Sequence, residues 1–161
     1  MDGWFERAVQ IVLEKEGVFS DDARDPGGLT KYGISQKAYP DLDIANLTVD
    51  QAKAIYQSDY WAKVRGPDLA WAFALPLFDC AVNQGPGVAV RFFQLALGVK
   101  PDGAFGPATL AAAQSQQAKP DDVLVKFMAQ RIVHYASLGT WPAFGTGWAR
   151  RAFAIALLAT K

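Results

Sequence analysis

Residues 16–34 read Glu16-Gly17-Val18-Phe19-Ser20-Asp21-Asp22-Ala23-Arg24-Asp25-Pro26-Gly27-Gly28-Leu29-Thr30-Lys31-Tyr32-Gly33-Ile34. Helical periodicity stops here. Before it, Phe5, Val9, Val12 and Glu16 recur at the spacing of one helix face. That pattern predicts a first helix from about residue 2 to residue 16, with Asp2 as N-cap and Gly17 as a left-handed C-cap. Beyond Gly17 come an acidic turn, Pro26-Gly27-Gly28, and the β-friendly piece Leu29-Thr30-Lys31-Tyr32. The expectation is a loop and a small β-hairpin near residues 18–34.

Outward from this stretch the chain reads as helices. Thr48-Val49-Asp50-Gln51 has the form of a capping box, and Ala52, Ile55 and Tyr56 follow on one side. Pro67 and Pro76 punctuate the middle, so the next helix is expected over residues 77–84, breaking at Gly85-Pro86-Gly87. Further helices are predicted from Pro86 to Leu97, from Pro107 to about Ala118, and from an Asp121 cap to about Leu138. Val125, Met128, Ile132 and Tyr135 form the apolar stripe of the last of these. The aromatic and glycine-rich residues 139–147 read as a loop before a terminal helix, expected to be buried rather than membrane-bound. The fold class is therefore mainly α with a small hairpin.

The chain has 161 residues, 51% of them hydrophobic and 20% charged, with a net charge of zero. Such a chain can bury a sizeable core, which excludes wholesale disorder. Zero net charge excludes a dominant basic field, so nucleic acid is not an expected partner. The single cysteine, Cys80, cannot form an internal disulfide and reads as a small buried hydrophobe. One histidine and one cysteine are too few for the usual zinc ligand sets, so no metal or other cofactor is expected. Residues 1–17 lack the pattern of a secretory signal, which leads to the expectation of synthesis in a cytoplasm.

Glu16 stands out chemically. It ends an otherwise apolar face and lies in the last helical turn, where the dipole is negative. Both effects favour the protonated carboxyl, which can donate a proton to a leaving group. From position alone, a glutamate that simply faces water at a helix end is the commoner case. Glycosidic cleavage usually needs a second carboxylate, and Asp21, Asp22 and Asp25 follow closely. Their spacing does not fit an EF-hand loop. Thr30 lies in the expected strand, where its hydroxyl can orient a water opposite the acid.

Taken together, Glu16-Gly17-Val18-Phe19, Asp22, Asp25-Pro26-Gly27-Gly28, Thr30 and Gly33-Ile34 resemble the opening signature of glycoside hydrolase family 108, the lysozyme-like N-acetylmuramidases of phage endolysins and related bacterial proteins. Val18 stands where the family's second glycine usually does. Tyr60-Trp61, the segment Phe78-Asp79-Cys80-Ala81-Val82-Asn83-Gln84-Gly85, and Arg131 through Trp148 and Arg151 are similar to later parts of the family. Asp102-Gly103-Ala104-Phe105-Gly106-Pro107-Ala108-Thr109 is similar to a loop of peptidoglycan-binding helical modules, and equally suits a tight turn between two helices.

The resemblance implies a single lysozyme-like domain with a cleft, its catalytic lobe over residues 1–75 and a helical, peptidoglycan-binding-like lobe over residues 76–161. It implies hydrolysis of the β-1,4 bond between N-acetylmuramic acid and N-acetylglucosamine, with Glu16 as general acid and Asp25 and Thr30 placing the water. Whether Asp22 or Asp25 is the second carboxylate stays open. Asp22, Tyr32, Tyr60, Asn83 and Gln84 are the implied substrate contacts, although Asn83 could equally cap its helix. Tyr60, Trp61, Trp141 and Trp148 are candidates for a sugar-stacking platform, with core packing expected for at least two of them. The implied partners are peptidoglycan glycan strands and a holin-type pore for release to the periplasm, with a monomer as the default state. The rival readings are a lytic transglycosylase on the same scaffold and a non-catalytic peptidoglycan-binding module.

Overall fold

Phe5, Ala8, Val9 and Val12 lie on one face of α1 (Gly3–Glu16) and are all fully buried, as their spacing requires. Each such aliphatic or aromatic side chain contributes about 1.5–3 kcal/mol on leaving water. The computed structural model describes residues 3–16, the backbone of residues 19–20, and residues 28–161. The expected caps at Asp2 and Gly17 lie outside the described residues, as do Asp21, Asp22 and Asp25.

The region after α1 forms a three-stranded antiparallel sheet in the order β1 (Phe19–Ser20), β2 (Thr30–Lys31), β3 (Ile34–Ser35). One strand more than the expected hairpin is present, because Phe19 and Ser20 pair with Lys31 and Thr30. The β2–β3 turn is Tyr32-Gly33, with φ of +52° and +75°. Positive φ at both central positions is what a two-residue hairpin needs to match strand twist.

The expected capping box opens α2 (Val49–Tyr56). The Gln51 backbone N–H donates to Thr48 Oγ1 at 3.2 Å, and the Thr48 N–H donates to Gln51 Oε1 at 2.9 Å. The chain then continues as a π-helical turn over Gln57–Trp61. This wider turn brings Trp61 into the core, edge-on to Phe78 with ring centroids 5.3 Å apart.

At the centre is α3 (Trp71–Gln84), packed against α1, α4 (Pro86–Leu97), α6 (Asp121–Ala136) and α7 (Trp141–Ala159). It begins six residues before the expected start, with Pro76 inside it. An interior proline normally costs about 3 kcal/mol. Here nine consecutive buried positions from Phe73 to Ala81, among them Leu75, Leu77 and Phe78, offset that cost. Gly85 (φ +91°) separates α3 from α4, and Gly98 (φ +75°) ends α4. α5 covers Pro107–Gln116.

The stripe expected on α6 is displaced. Val123, Leu124, Phe127, Arg131 and Tyr135 face inward, while Val125 is 68% exposed. Of the expected stripe, Tyr135 is buried, Met128 and Ile132 are half-buried, and Val125 alone is exposed; the buried Arg131 takes a place on the inner face. The N-cap is Pro120, and Asp121 is the first helical residue rather than the cap.

Residues 141–147, expected as loop, are the first turns of α7. Pro142 suits a helix's first turn. Gly145 lets the Trp141 ring lie back on the helix: a Cβ there would sit 2.6 Å from the indole. Gly145→Ala is expected to lower stability by about 1–2 kcal/mol through overpacking. Gly147→Ala, where a Cβ meets open space, is expected to raise it by about 0.5–1 kcal/mol. Thermal melts of the two variants should move in opposite directions. α7 buries Ala152, Ile155 and Ala159, but Phe153 and Leu157 are each 65% exposed, so the terminal helix is only half covered. Among the described residues, no helix is long and apolar enough to cross a membrane.

Candidate active site

Glu16 is the last residue of α1 and its side chain is 21% exposed. The β2–β3 turn folds back onto it. A Cβ on Gly33 would stand 3.0 Å from Glu16 Cγ and 2.5 Å from the Tyr56 hydroxyl, so only glycine lets the hairpin approach so closely. The Tyr56 hydroxyl donates to the Tyr32 carbonyl at 2.8 Å, tying that turn to α2. Burial, and then the negative charge of Glu16, push the Tyr56 phenol well above its ordinary range, so it stays a neutral donor.

Across from Glu16 stands Arg151 of α7, with Nη1 at 2.6 Å from Glu16 Oε1. The sequence reading placed no cation beside this carboxylate. Arg151 also donates from Nε to Asp79 Oδ1 at 2.9 Å. Asp79 is fully buried on α3, and its other oxygen accepts from Arg131 Nη2 of α6 at 2.8 Å. Glu16, Arg151, Asp79 and Arg131 therefore form a chain of alternating charge, with three contacts joining four helices. Burial alone would disfavour the Arg131 charge, but Asp79 more than offsets this and holds the guanidinium above its ordinary value. Arg151 is raised in the same sense, with burial opposed by Asp79 and then by Glu16.

The end of α3 completes the network. Gln84 Oε1 accepts from Arg131 Nε at 3.3 Å and from the Cys80 thiol at 2.9 Å. The Gln84 carbonyl oxygen is thus engaged within the network. Cys80 is buried as expected, and burial pushes its thiol up to about 12. The Tyr135 hydroxyl donates to Asn83 Oδ1. Asn83 is exposed and has no positive φ, and Gly85 supplies the C-cap. The cap alternative for Asn83 is therefore overturned. Its amide lines an open pocket of about 480 Å³ with Lys15, Trp148, Arg150 and Arg151. Asn83→Ala removes the Tyr135 acceptor and is expected to cost about 0.5–1.5 kcal/mol, whereas Asn83→Asp keeps an acceptor. Urea unfolding of both variants checks this.

The remaining candidates are scattered around this centre. Thr30 is half-buried in β2, and its hydroxyl donates to the Gly28 carbonyl at 3.1 Å. Tyr32 sits in the turn that abuts Glu16. Tyr60 is half-buried with its ring 5.7 Å from that of Tyr56. Trp61 is core. Trp148 stacks on Tyr135 at 5.0 Å, and Trp141 lies 6.4 Å from Trp148. Asp102 and the loop after it turn inward: Gln94 Nε2 donates to Asp102 Oδ1, the Ala104 carbonyl and Thr109 Oγ1, and Gln94 Oε1 accepts from the Gly103 N–H. The tight-turn reading of that loop accounts for these contacts.

The family model Glycosyl hydrolase 108 matches residues 9–85, which carry Glu16, the hairpin and Asp79. A second model, Predicted Peptidoglycan domain, matches residues 88–153, which carry Arg131 and Arg151. The solved structure of SagA from Brucella abortus is 33% identical, covers 99% of this chain and 95% of its own, and superposes with a TM-score of 0.88. The chain belongs to the glycosyl hydrolase 108 family. No curated protein matches it. The mainly helical architecture with its small sheet is the lysozyme-like fold expected from the resemblance. As a glycosyl hydrolase 108 protein it is a glycoside hydrolase of peptidoglycan. Three residues central to the site, Asp79, Arg131 and Arg151, were absent from the sequence-derived candidates. One signal existed for the first two: each is a charge within an otherwise inward-facing apolar pattern.

Proposed function

We propose that this glycoside hydrolase is an N-acetylmuramidase that cleaves the β-1,4 bond between N-acetylmuramic acid and N-acetylglucosamine. The observation that carries the reading is the setting of Glu16: the end of a helix, a hairpin turn against its side chain, and Arg151 fixing its orientation. Glu16 donates the proton to the leaving oxygen. Asp25 places the water or stabilises the developing positive charge, as a second carboxylate does in most glycosidases, with Asp22 the alternative for this role. Thr30 assists: its proton is committed to Gly28, which leaves the hydroxyl oxygen free to accept a hydrogen bond from water.

Residues 1–75 act in this reading as the catalytic lobe and residues 76–161 as the wall that holds glycan, with α3 running from the first into the second. The biological role is bacterial lysis in a phage cycle. The enzyme, a monomer, is made in the host cytoplasm and released to the wall through a holin-type pore.

The test is digestion of purified sacculi, followed by turbidity and by analysis of the new chain ends. Reducing N-acetylmuramic acid ends support the proposal. A 1,6-anhydro end would make the enzyme a lytic transglycosylase, and binding without clearing would make it a wall-binding module.

A further inference from the structure

The pocket beside Glu16 has a chemistry of its own. It lies between the end of α1 and the middle of α7 and is lined by Lys15, Asn83, Gly147, Trp148, Arg150 and Arg151, with Ala154 at its edge. Three of these are cations, and none is a carboxylate. Arg151 is engaged by Glu16 and Asp79. Lys15 and Arg150 are exposed, and neither has an ion-pair partner among the described residues. In a chain of zero net charge, such a concentration of cations in a concave site focuses a local positive field. Trp148, whose indole stacks on Tyr135, and Asn83 also line this pocket.

We propose that this pocket binds an anionic substituent of the glycan, the carboxylates of the peptide stem, and so selects stem-bearing strands. Lys15 directly precedes Glu16, and Arg151 touches it, so the pocket adjoins the proposed cleavage position. A stem held there brings its own sugar to the acid. Lys15 and Arg150 act as point charges on the carboxylates, and Trp148 supports the attached sugar. This inference rests on the muramidase reading for its geometry, but its binding test does not need catalysis.

The experiment uses the full chain and the double variant Lys15→Glu/Arg150→Glu. Both side chains are exposed, so folding is expected to be unaffected, and a thermal melt checks this. Three substrates are compared: intact sacculi, sacculi stripped of phosphate polymers by acid, and glycan strands freed of stems by an amidase. The expected result is about a tenfold fall in kcat/KM on both kinds of stem-bearing sacculi, residing in KM. On stem-free strands the change stays within twofold, and raising salt erodes the wild-type advantage on sacculi. Equal falls on all three substrates, or no fall on any, overturn the proposal. A fall that vanishes once phosphate polymers are removed overturns it in favour of a phosphate site. Co-sedimentation of the Glu16→Gln chain, with and without the double change, on sacculi and on stem-free strands reads the same difference without turnover. Failure of the muramidase reading would therefore appear as absent hydrolysis by the wild-type chain, with this binding difference intact.

Discussion

Replacing Glu16 with glutamine will leave the protein folded and cut its hydrolysis of sacculi by about 10²–10⁴-fold, the usual contribution of a positioned general acid. Glutamine preserves the shape, and Arg151 keeps its second carboxylate at Asp79. What it cannot do is release a proton to a leaving oxygen. The measurement is the initial rate of turbidity loss with purified protein, paired with a circular dichroism spectrum. Wild-type clearing by a correctly folded Glu16→Gln protein would remove Glu16 from the mechanism.

The second large effect falls on stability. Among the described residues Asp79 is the sole carboxylate paired with Arg131, and both side chains are 0% exposed. Asp79→Ala leaves a guanidinium buried without its counter-charge, a change that typically costs about 3–5 kcal/mol. For a domain of this size each kcal/mol corresponds to about 2–4 °C, so Tm is expected to fall by roughly 6–20 °C. Replacing both partners with apolar residues, as in Asp79→Leu/Arg131→Met, should recover much of the loss, because the orphaned charge is then gone. A Tm for Asp79→Ala within 1 °C of wild type would show that the network contributes nothing to folding.

Much of this architecture was legible in the chain's local patterns. The α1 stripe, the capping box at Thr48, the glycine stops at Gly85 and Gly98 and the prolines opening α4 and α5 all act within a few residues, and all stand where spacing predicts. Three readings were displaced, each for a physical reason. Pro76 reads as a breaker, yet burial on both sides carries the helix through it. Gly145 reads as loop, yet its missing Cβ accommodates the Trp141 ring inside a helix. The α6 stripe follows the most continuous apolar face, whereas the inner face spends one position on Arg131.

The site divides in the same way. Glu16 was recognisable because one helix sets its chemistry. Arg151 was not, because its role depends on α1, α3 and α7 meeting in space. Asn83 was readable as a cleft residue but not as the acceptor for Tyr135, which comes from a helix 52 positions away.

The clamp on Glu16 also orders the protein's assembly in time. Arg151 reaches Asp79 across 72 positions of chain, and it belongs to α7, which is synthesised after the other described helices. A nascent chain still on the ribosome carries the acid, the hairpin and the central helix but not the guanidinium that sets the carboxyl's orientation. Only when α7 has emerged and docked does the ion pair between Glu16 and Arg151 form. Any chain cut short before residue 151 carries the acid without its clamp.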